Sequence, residues 1–217
     1  CIALANPIDF DVTGNFSGVW NWVGTPGNTV NSFADFALAP QRLDNSAAPQ
    51  SPRHAVMSPN DTWGMLGSQT TLFSPQLVGQ SYTGGDLGNI GGVSTAMDQN
   101  IRNYTVGAYG GTPAVNGASQ NVTYTASANT DAQSLITDGW TASTSTLNIG
   151  DVFTIAGVNA VNPRSKVTPG FLQQFVVNTA VTADSLGNKT IAISPAIITS
   201  APYQTVSAAP ADNAPIT

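Results

Sequence analysis

Apolar side chains recur at every second position through the C-terminal half of the chain. Val122, Tyr124 and Ala126 alternate with Thr123 and Thr125, and Leu147, Ile149, Phe153 and Ile155 keep the same period across a bend or bulge expected at Gly150-Asp151. Phe175, Val177 and Val181 make a third face of this kind, and Ile191 and Ile193 a fourth. A two-residue period lays one face of a strand on a core and turns the other outward. Asp184 to Asn188 reads as the turn between the last two, slightly longer than a tight hairpin. From about Asn103 onward the chain therefore reads as wholly β, the short strands of a small barrel or sandwich. Thr and Ser on the opposite faces predict a weakly charged outer surface that can also pack against a neighbouring subunit. No unit of constant length repeats, so a solenoid is not expected.

Up to about Arg102 the pattern is mixed. Phe33, Phe36, Ala37 and Leu43 share one side of a helix expected from roughly Ser32 to Asn45, with Pro40 bending or breaking it. Ser46 to Pro52 reads as a loop and Arg53 to Met57 as a short strand. Ser58-Pro59-Asn60-Asp61 is a strong helix start: Ser58 caps, Pro59 occupies the first helical position, where no amide proton is needed, and Asp61 sits at the positive end. Trp63, Met65 and Leu66 supply the apolar part of that helix. A glycine-rich loop from Ser81 to Gly92 leads into β-prone Val93 to Met97.

Composition sharpens this picture. A length of 217 residues suits one ordinary domain or two small ones. Only 8% of the residues are charged, and every one of the 12 acidic residues is Asp. The absence of Glu argues against long exposed helices. Gly and Pro are abundant, but a hydrophobic share of 41% in short Val/Ile/Phe runs is that of a folded chain with long loops, not of a disordered one. A net charge of -6, with six scattered cations, disfavours a nucleic-acid groove. Cys1 is the only cysteine, so no intrachain disulfide is expected. The opening Cys-Ile-Ala-Leu-Ala lacks an initiating Met and a basic leader and is too short for a membrane helix or signal peptide. It reads as an interior piece of a longer polypeptide.

Catalytic chemistry is thinly represented. His54 is the single histidine, beside Arg53 in a strand-like run, and no Gly-x-Ser-x-Gly motif accompanies it; it reads as an ordinary surface or structural residue. Zinc needs more Cys and His than Cys1 and His54 provide. Asp9-Phe-Asp11-Val-Thr13-Gly14 echoes the start of a calcium loop, but the twelfth position is Trp20 where a bidentate Glu belongs. Asp98, Asp131, Asp138 and Asp151 could form a carboxylate pair, yet spacing selects no two of them. Gly85 to Gly92 lacks the strand before it, the helix after it and the Gly-Lys-Ser/Thr ending of a phosphate cradle, and reads as flexible or closely packed backbone. Trp20 and Trp22 alternate within an apolar setting of Phe16, Val19 and Val23, which favours packing over a sugar-stacking platform. Asn-x-Ser/Thr patterns at Asn15, Asn60, Asn103, Asn121 and Asn188 are what chance gives in so Asn- and Thr-rich a chain. No catalytic, cofactor-binding or metal-ligating residue is assigned, no cofactor is expected, and the chain is read as not an enzyme.

Several short motifs in order resemble a known family. Asp35-Phe36, Leu43-Asp44-Asn45, Arg53 to Asp61 and the loop ending Met97-Asp-Gln-Asn-Ile101 look like the middle of tailed-phage major capsid proteins related to the coat protein of short-tailed Salmonella phages. Gly150 to Val158 and the later Phe-Val-Val, Ile-Ser-Pro and Ala-Ala-Pro runs are similar to that family's insertion domain. The resemblance implies an α+β chain: part of the tailed-phage major capsid fold, carrying an inserted β-barrel domain. Residues 1-102 would belong to its peripheral and apical domains and residues 103-217 to the β-rich insertion. It further implies a structural role in the icosahedral virion shell, through pentamers and hexamers of the same chain around packaged double-stranded DNA that is not read for sequence. The partners implied are a scaffolding protein during assembly, a portal protein at one vertex and a decoration protein, with no membrane, and assembly in the bacterial host cytoplasm. Trp20, Trp22 and Trp63 are expected to pack the main capsid fold, and Phe153, Ile155, Phe175 and Val177 the inserted barrel. The alternative of a different class is a carbohydrate-binding or adhesin-like β module of a virion surface protein, using exposed tryptophans.

Overall fold

The computed structural model describes residues 13–69, 84–85, 87–101, 103–125, 131–200 and 202–217. Chain contacts divide it into two units, one containing Val23–Asn103 and the other Asn15–Trp22 together with Tyr104–Thr217. Trp20 and Trp22, assigned from sequence to the first region, thus belong with the β-rich second unit.

In the first unit, helix α1 (Phe33–Asn45) starts at Ser32, whose extended backbone lets its Oγ accept from the Asp35 amide at 3.1 Å. The break expected at Pro40 does not occur, and the helix runs on uninterrupted. Proline removes one ladder bond there, and caps at both ends hold the remainder, the Ser46 amide donating back to the Arg42 carbonyl at 3.0 Å. Only Phe36 of the expected apolar stripe is buried; Phe33 is 54% and Leu43 38% exposed. Strand β1 (His54–Met57) runs parallel to β3 (Val93–Met97), which pairs antiparallel with β2 (Asn89–Ile90). Three strands this short cover one helical ridge and not a whole face. Arg53, expected to begin β1, instead stands outside it and bonds Asp44 Oδ1 at 2.7 Å and the Pro49 carbonyl at 2.8 Å.

From residue 87 the glycine-rich loop forms β2 and a two-residue turn; residues 81–83 and 86 lie outside the described residues. Gly91 and Gly92 both have positive φ, 56° and 80°, between the paired Ile90 and Val93, a primed hairpin geometry open to residues without Cβ. Helix α2 (Pro59–Gln69) starts as the sequence predicts, with Ser58 Oγ accepting from the Asp61 amide at 3.2 Å and donating to Asp61 Oδ2 at 2.7 Å. Met65 is fully buried with Phe36, Met57, Leu87, Ile90 and Val93. Trp63 does not join this core and is 63% exposed. With Thr62 and Met65 facing inward at three-residue spacing, position 63 falls on the outer face of the helix.

The second unit is built on an antiparallel sheet in the order β4-β5-β10-β8-β7, from β4 (Gly111–Val115), β5 (Gln133–Trp140), β7 (Val152–Asn159), β8 (Leu172–Val177) and β10 (Lys189–Ser194). A second ladder joins β6 (Thr146–Leu147) to β9 (Val181–Thr182). The last residues lie between the two edges of the large sheet. Val115 donates to the Ala214 carbonyl and Ile216 to Pro113 on one side; on the other, Ala156 donates to Pro215 and Thr154 to Thr217. This stave leaves a nearly closed barrel-like sheet and covers the exposed edges that an open sheet would offer.

Its interior is the alternating set read from the sequence. Ile155, Phe175, Val177, Ile191 and Ile193 have no exposed surface, and Phe153 lies 5.9 Å from the Phe175 ring. Three readings need correction. Ile149 is 50% exposed, because it lies inside the turn that the Asp151 amide closes on the Asn148 carbonyl at 3.1 Å, outside any strand. Residues 121–125 form no strand, although Val122 donates to the Ile197 carbonyl and Tyr124 stacks on Tyr203; Ala126 lies outside the described residues. The strands of that stretch are β4 and β5, where Thr137 points inward and Ile136 is half exposed. The Asp184–Asn188 turn leads from β9 into β10, strands of different ladders, so it is a corner and not a simple hairpin.

Candidate functional site

One end of the barrel brings together Thr137, Ser145, Asp151 and Lys189, while the buried Gln173 stands near the opposite end of β8. Asp151 stands immediately before β7 and after Gly150, whose φ of 95° suits glycine. Backbone bonds on both sides pin this corner: Gly150 donates to the Val177 carbonyl and Val177 to the Asp151 carbonyl, each at 2.8 Å. The carboxylate is 6% exposed and accepts from the Tyr104 hydroxyl at 2.6 Å, the Asn148 amide at 2.7 Å and the Gly107 amide at 3.1 and 3.2 Å. A buried carboxylate survives only with such a set of donors. Gly107 is required by space, since a Cβ there would stand 2.4 Å from the Thr146 carbonyl oxygen and 2.9 Å from Asp151 Oδ2. Burial raises the pKa of the Tyr104 phenol well above the usual tyrosine range, and the hydrogen bond to Asp151 and its charge add to this.

Lys189, the first residue of β10, is 3% exposed. Its Nζ donates to Ser145 Oγ at 3.0 Å and sits 3.7 Å above the Trp140 ring. The Trp140 indole N–H donates to Thr137 Oγ1 at 2.8 Å, and that hydroxyl donates to the Lys189 carbonyl at 3.0 Å. Burial pulls the Lys189 pKa down to about 8, and the Asp151 carboxylate acts in the opposite sense. Tyr109 meets the Trp140 ring edge-on at 5.1 Å, donates to the Ile216 carbonyl, and is made less acidic by burial.

Beside this centre lies a mainly apolar cleft of about 700 Å³, with Tyr109, Pro113, Asp151, Phe153, Pro215 and Ile216 among its walls. An amine near pKa 8 would suit nucleophilic chemistry, but Lys189 does not line the cleft. Asp151 does, with its oxygens committed to the chain's own donors. The arrangement holds backbone segments in place and offers no acid–base pair to a bound molecule.

The sequence candidates are scattered. His54 is exposed. Asp98 accepts from the Asn100 amide at 2.7 Å within its own turn, Asp131 is exposed and Asp138 half-buried on β5. Cys1, Asp9 and Asp11 lie outside the described residues. Among the described residues no group of three His, Cys, Asp or Glu side chains could hold a metal ion, and no helix is long and apolar enough to cross a membrane. Trp22 is half-buried, its amide donating to Gln174 Oε1 at 2.8 Å and its ring meeting Tyr104 edge-on at 6.5 Å. Sequence reasoning missed Lys189, although a signal existed: it shares the two-residue phase of Ile191 and Ile193 and so falls on the core face.

The buried polar centre thus braces the nearly closed barrel through Asp151 and its donors. The chain belongs to the P22 coat protein family, whose model, described as "P22 coat protein - gene protein 5", matches residues 17–217. It is therefore a structural protein of a bacteriophage capsid, in a family of coat proteins and not of enzymes. Among solved structures it is similar to the CUS-3 coat protein I-domain, with 28% identity over 54% of this chain and 96% of that one, at a TM-score of 0.29. No curated protein matches it.

Proposed function

We propose that this chain is shell-forming sequence of an icosahedral phage capsid, in which copies gather into pentamers and hexamers that enclose double-stranded DNA without reading its sequence. The observation that carries the reading is the family match across both structural units. In this reading residues 1-102 contribute to the peripheral and apical parts of the capsid fold and residues 103-217 form the β-rich insertion. Assembly takes place in the host cytoplasm around a scaffolding protein, with a portal at one vertex and a decoration protein as a further surface partner. Low charge suits lateral interfaces that bury broad, uncharged surface between like subunits. The half-buried Trp22, with Tyr104 against its ring, is poorly disposed as an open sugar platform, which favours packing over glycan binding.

Expression of the protein that carries this sequence with a scaffolding protein, followed by sedimentation and negative-stain microscopy, tests this. Closed shells of uniform size are expected. Persistent monomers or small oligomers under conditions that support assembly would contradict it.

A further inference from the structure

We propose that Asn15–Trp22 and Tyr104–Gly107 form one strap on the barrel, latched by the Tyr104 hydroxyl on Asp151, that docks and releases cooperatively while the barrel stays closed. The two segments are 82 or more residues apart in sequence, yet both belong to the second unit and meet where the Trp22 ring touches the Tyr104 ring.

Side chains supply the strap's long-range attachments to the barrel. Among these, Trp22 is held by Gln174 Oε1, Tyr104 by Asp151 Oδ1 at 2.6 Å with the Ile149 carbonyl also within reach of its hydroxyl at 3.0 Å, Thr105 by the Asn148 side-chain amide at 3.2 Å and Gly107 by both Asp151 oxygens. The barrel is held by backbone ladders and by the 213–217 stave. Ladder pairing to the 104–110 stretch begins one residue past the strap, where Thr146 donates to the Ala108 carbonyl at 3.0 Å. Segments fixed by a few side-chain bonds open at lower free energy than the ladders behind them.

Coupling follows from the shared ring contact. Removing the Tyr104 hydroxyl frees its ring, and with it the surface on which Trp22 rests. Loosening Trp22 in turn uncovers Tyr104, and such coupling is reciprocal. The strap gives the subunit a place that yields during rearrangement without unfolding its core.

Hydrogen–deuterium exchange on the full chain tests this with two variants. Tyr104→Phe is expected to speed exchange in both 15–22 and 105–107 by about tenfold or more, the scale of one hydrogen bond to a charged acceptor. Amides of β5, β8 and β10 should stay within about twofold. Gln174→Met, made at the Trp22 attachment, should speed both segments as well. If either variant affects only the segment it touches, the cooperative strap is wrong. If exchange rises equally in β5, β8 and β10, the latch is part of the barrel's own stability and the proposal is likewise overturned.

Discussion

Replacing Asp151 with Asn should remove a large share of the second unit's stability while hardly changing its shape. The amide keeps one acceptor oxygen, so the bond from Tyr104 can persist. Its NH2 group, however, would face the Asn148 amide at 2.7 Å or the Gly107 amide at 3.1 Å, donor against donor. Each bond to a buried charged acceptor is worth about 1.5–3 kcal/mol, and an unpaired buried donor costs about 1–3 kcal/mol. Relief of carboxylate desolvation offsets part of this. The net loss should be about 2–4 kcal/mol, against a typical domain stability of about 5–15 kcal/mol. Urea unfolding followed by tryptophan fluorescence reads it well, because Trp20, Trp22 and Trp140 lie in this unit. With a slope of about 2 kcal/mol/M, the midpoint should fall by roughly 1–2 M at constant slope. Asp131→Asn, at an exposed site, should stay within about 0.5 kcal/mol of the parent. A D151N midpoint no lower than that of D131N would refute the reasoning.

Raising the pH should first stabilise and then destabilise the same unit. Lys189 has a folded pKa of about 8 against the ordinary 10.5, so between those values the unfolded chain binds the extra proton and stability rises with pH, by no more than about 3 kcal/mol. Tyr104 and Tyr109 are shifted the other way: above about pH 10 the unfolded chain loses phenolic protons first and stability falls. Urea midpoints from about pH 7 to about pH 11 should therefore pass through a maximum, and Lys189→Met should abolish the rise but keep the fall; a midpoint flat from about pH 8 to about pH 10 would be incompatible with a buried ammonium. Gly107→Ala forces a Cβ to 2.4 Å from the Thr146 carbonyl oxygen and should cost about 3 kcal/mol or more in the same assay, a loss below about 1 kcal/mol showing that the corner can relax. Phe175→Ala, at a position with no exposed surface, should cost about 3–5 kcal/mol, whereas Leu186→Ala, 82% exposed at the tip of its corner, should fall within about 0.5 kcal/mol; similar losses for both would contradict the assigned core.

Where side chains face an apolar core with strict alternation, the structure was legible in the sequence. Phe153, Ile155, Phe175, Val177, Ile191 and Ile193 are interior as their two-residue period requires, and the Ser58-Pro59-Asp61 start of α2 needs no tertiary information. The rest depends on long-range geometry. Strand β5 was hidden because Thr137 takes an inward place and satisfies its hydroxyl on the Lys189 carbonyl, while Gly139, at φ 74°, breaks the period at a bulge against β4. No periodicity reveals that residues 213–217 close the sheet, since their partners lie on β4 and β7, dozens of residues earlier. Trp22 was read with its sequence neighbours, but its hydrogen-bond partner Gln174 is 152 residues away. The polar centre was half legible: Gly150-Asp151 was recognised as a bend, while the donors from Tyr104, Gly107 and Asn148 that justify a buried Asp151 emerge only when the chain is folded.

A residue-resolution electron cryomicroscopy map of the shell built from the protein that carries this sequence tests the central claim most directly. The account predicts a closed icosahedral lattice in which every subunit carries this antiparallel barrel, with 213–217 lying between β4 and β7 and Tyr104 bonded to Asp151. A shell whose repeating subunit lacks the barrel, or particles in which this chain is absent from the lattice, would contradict it.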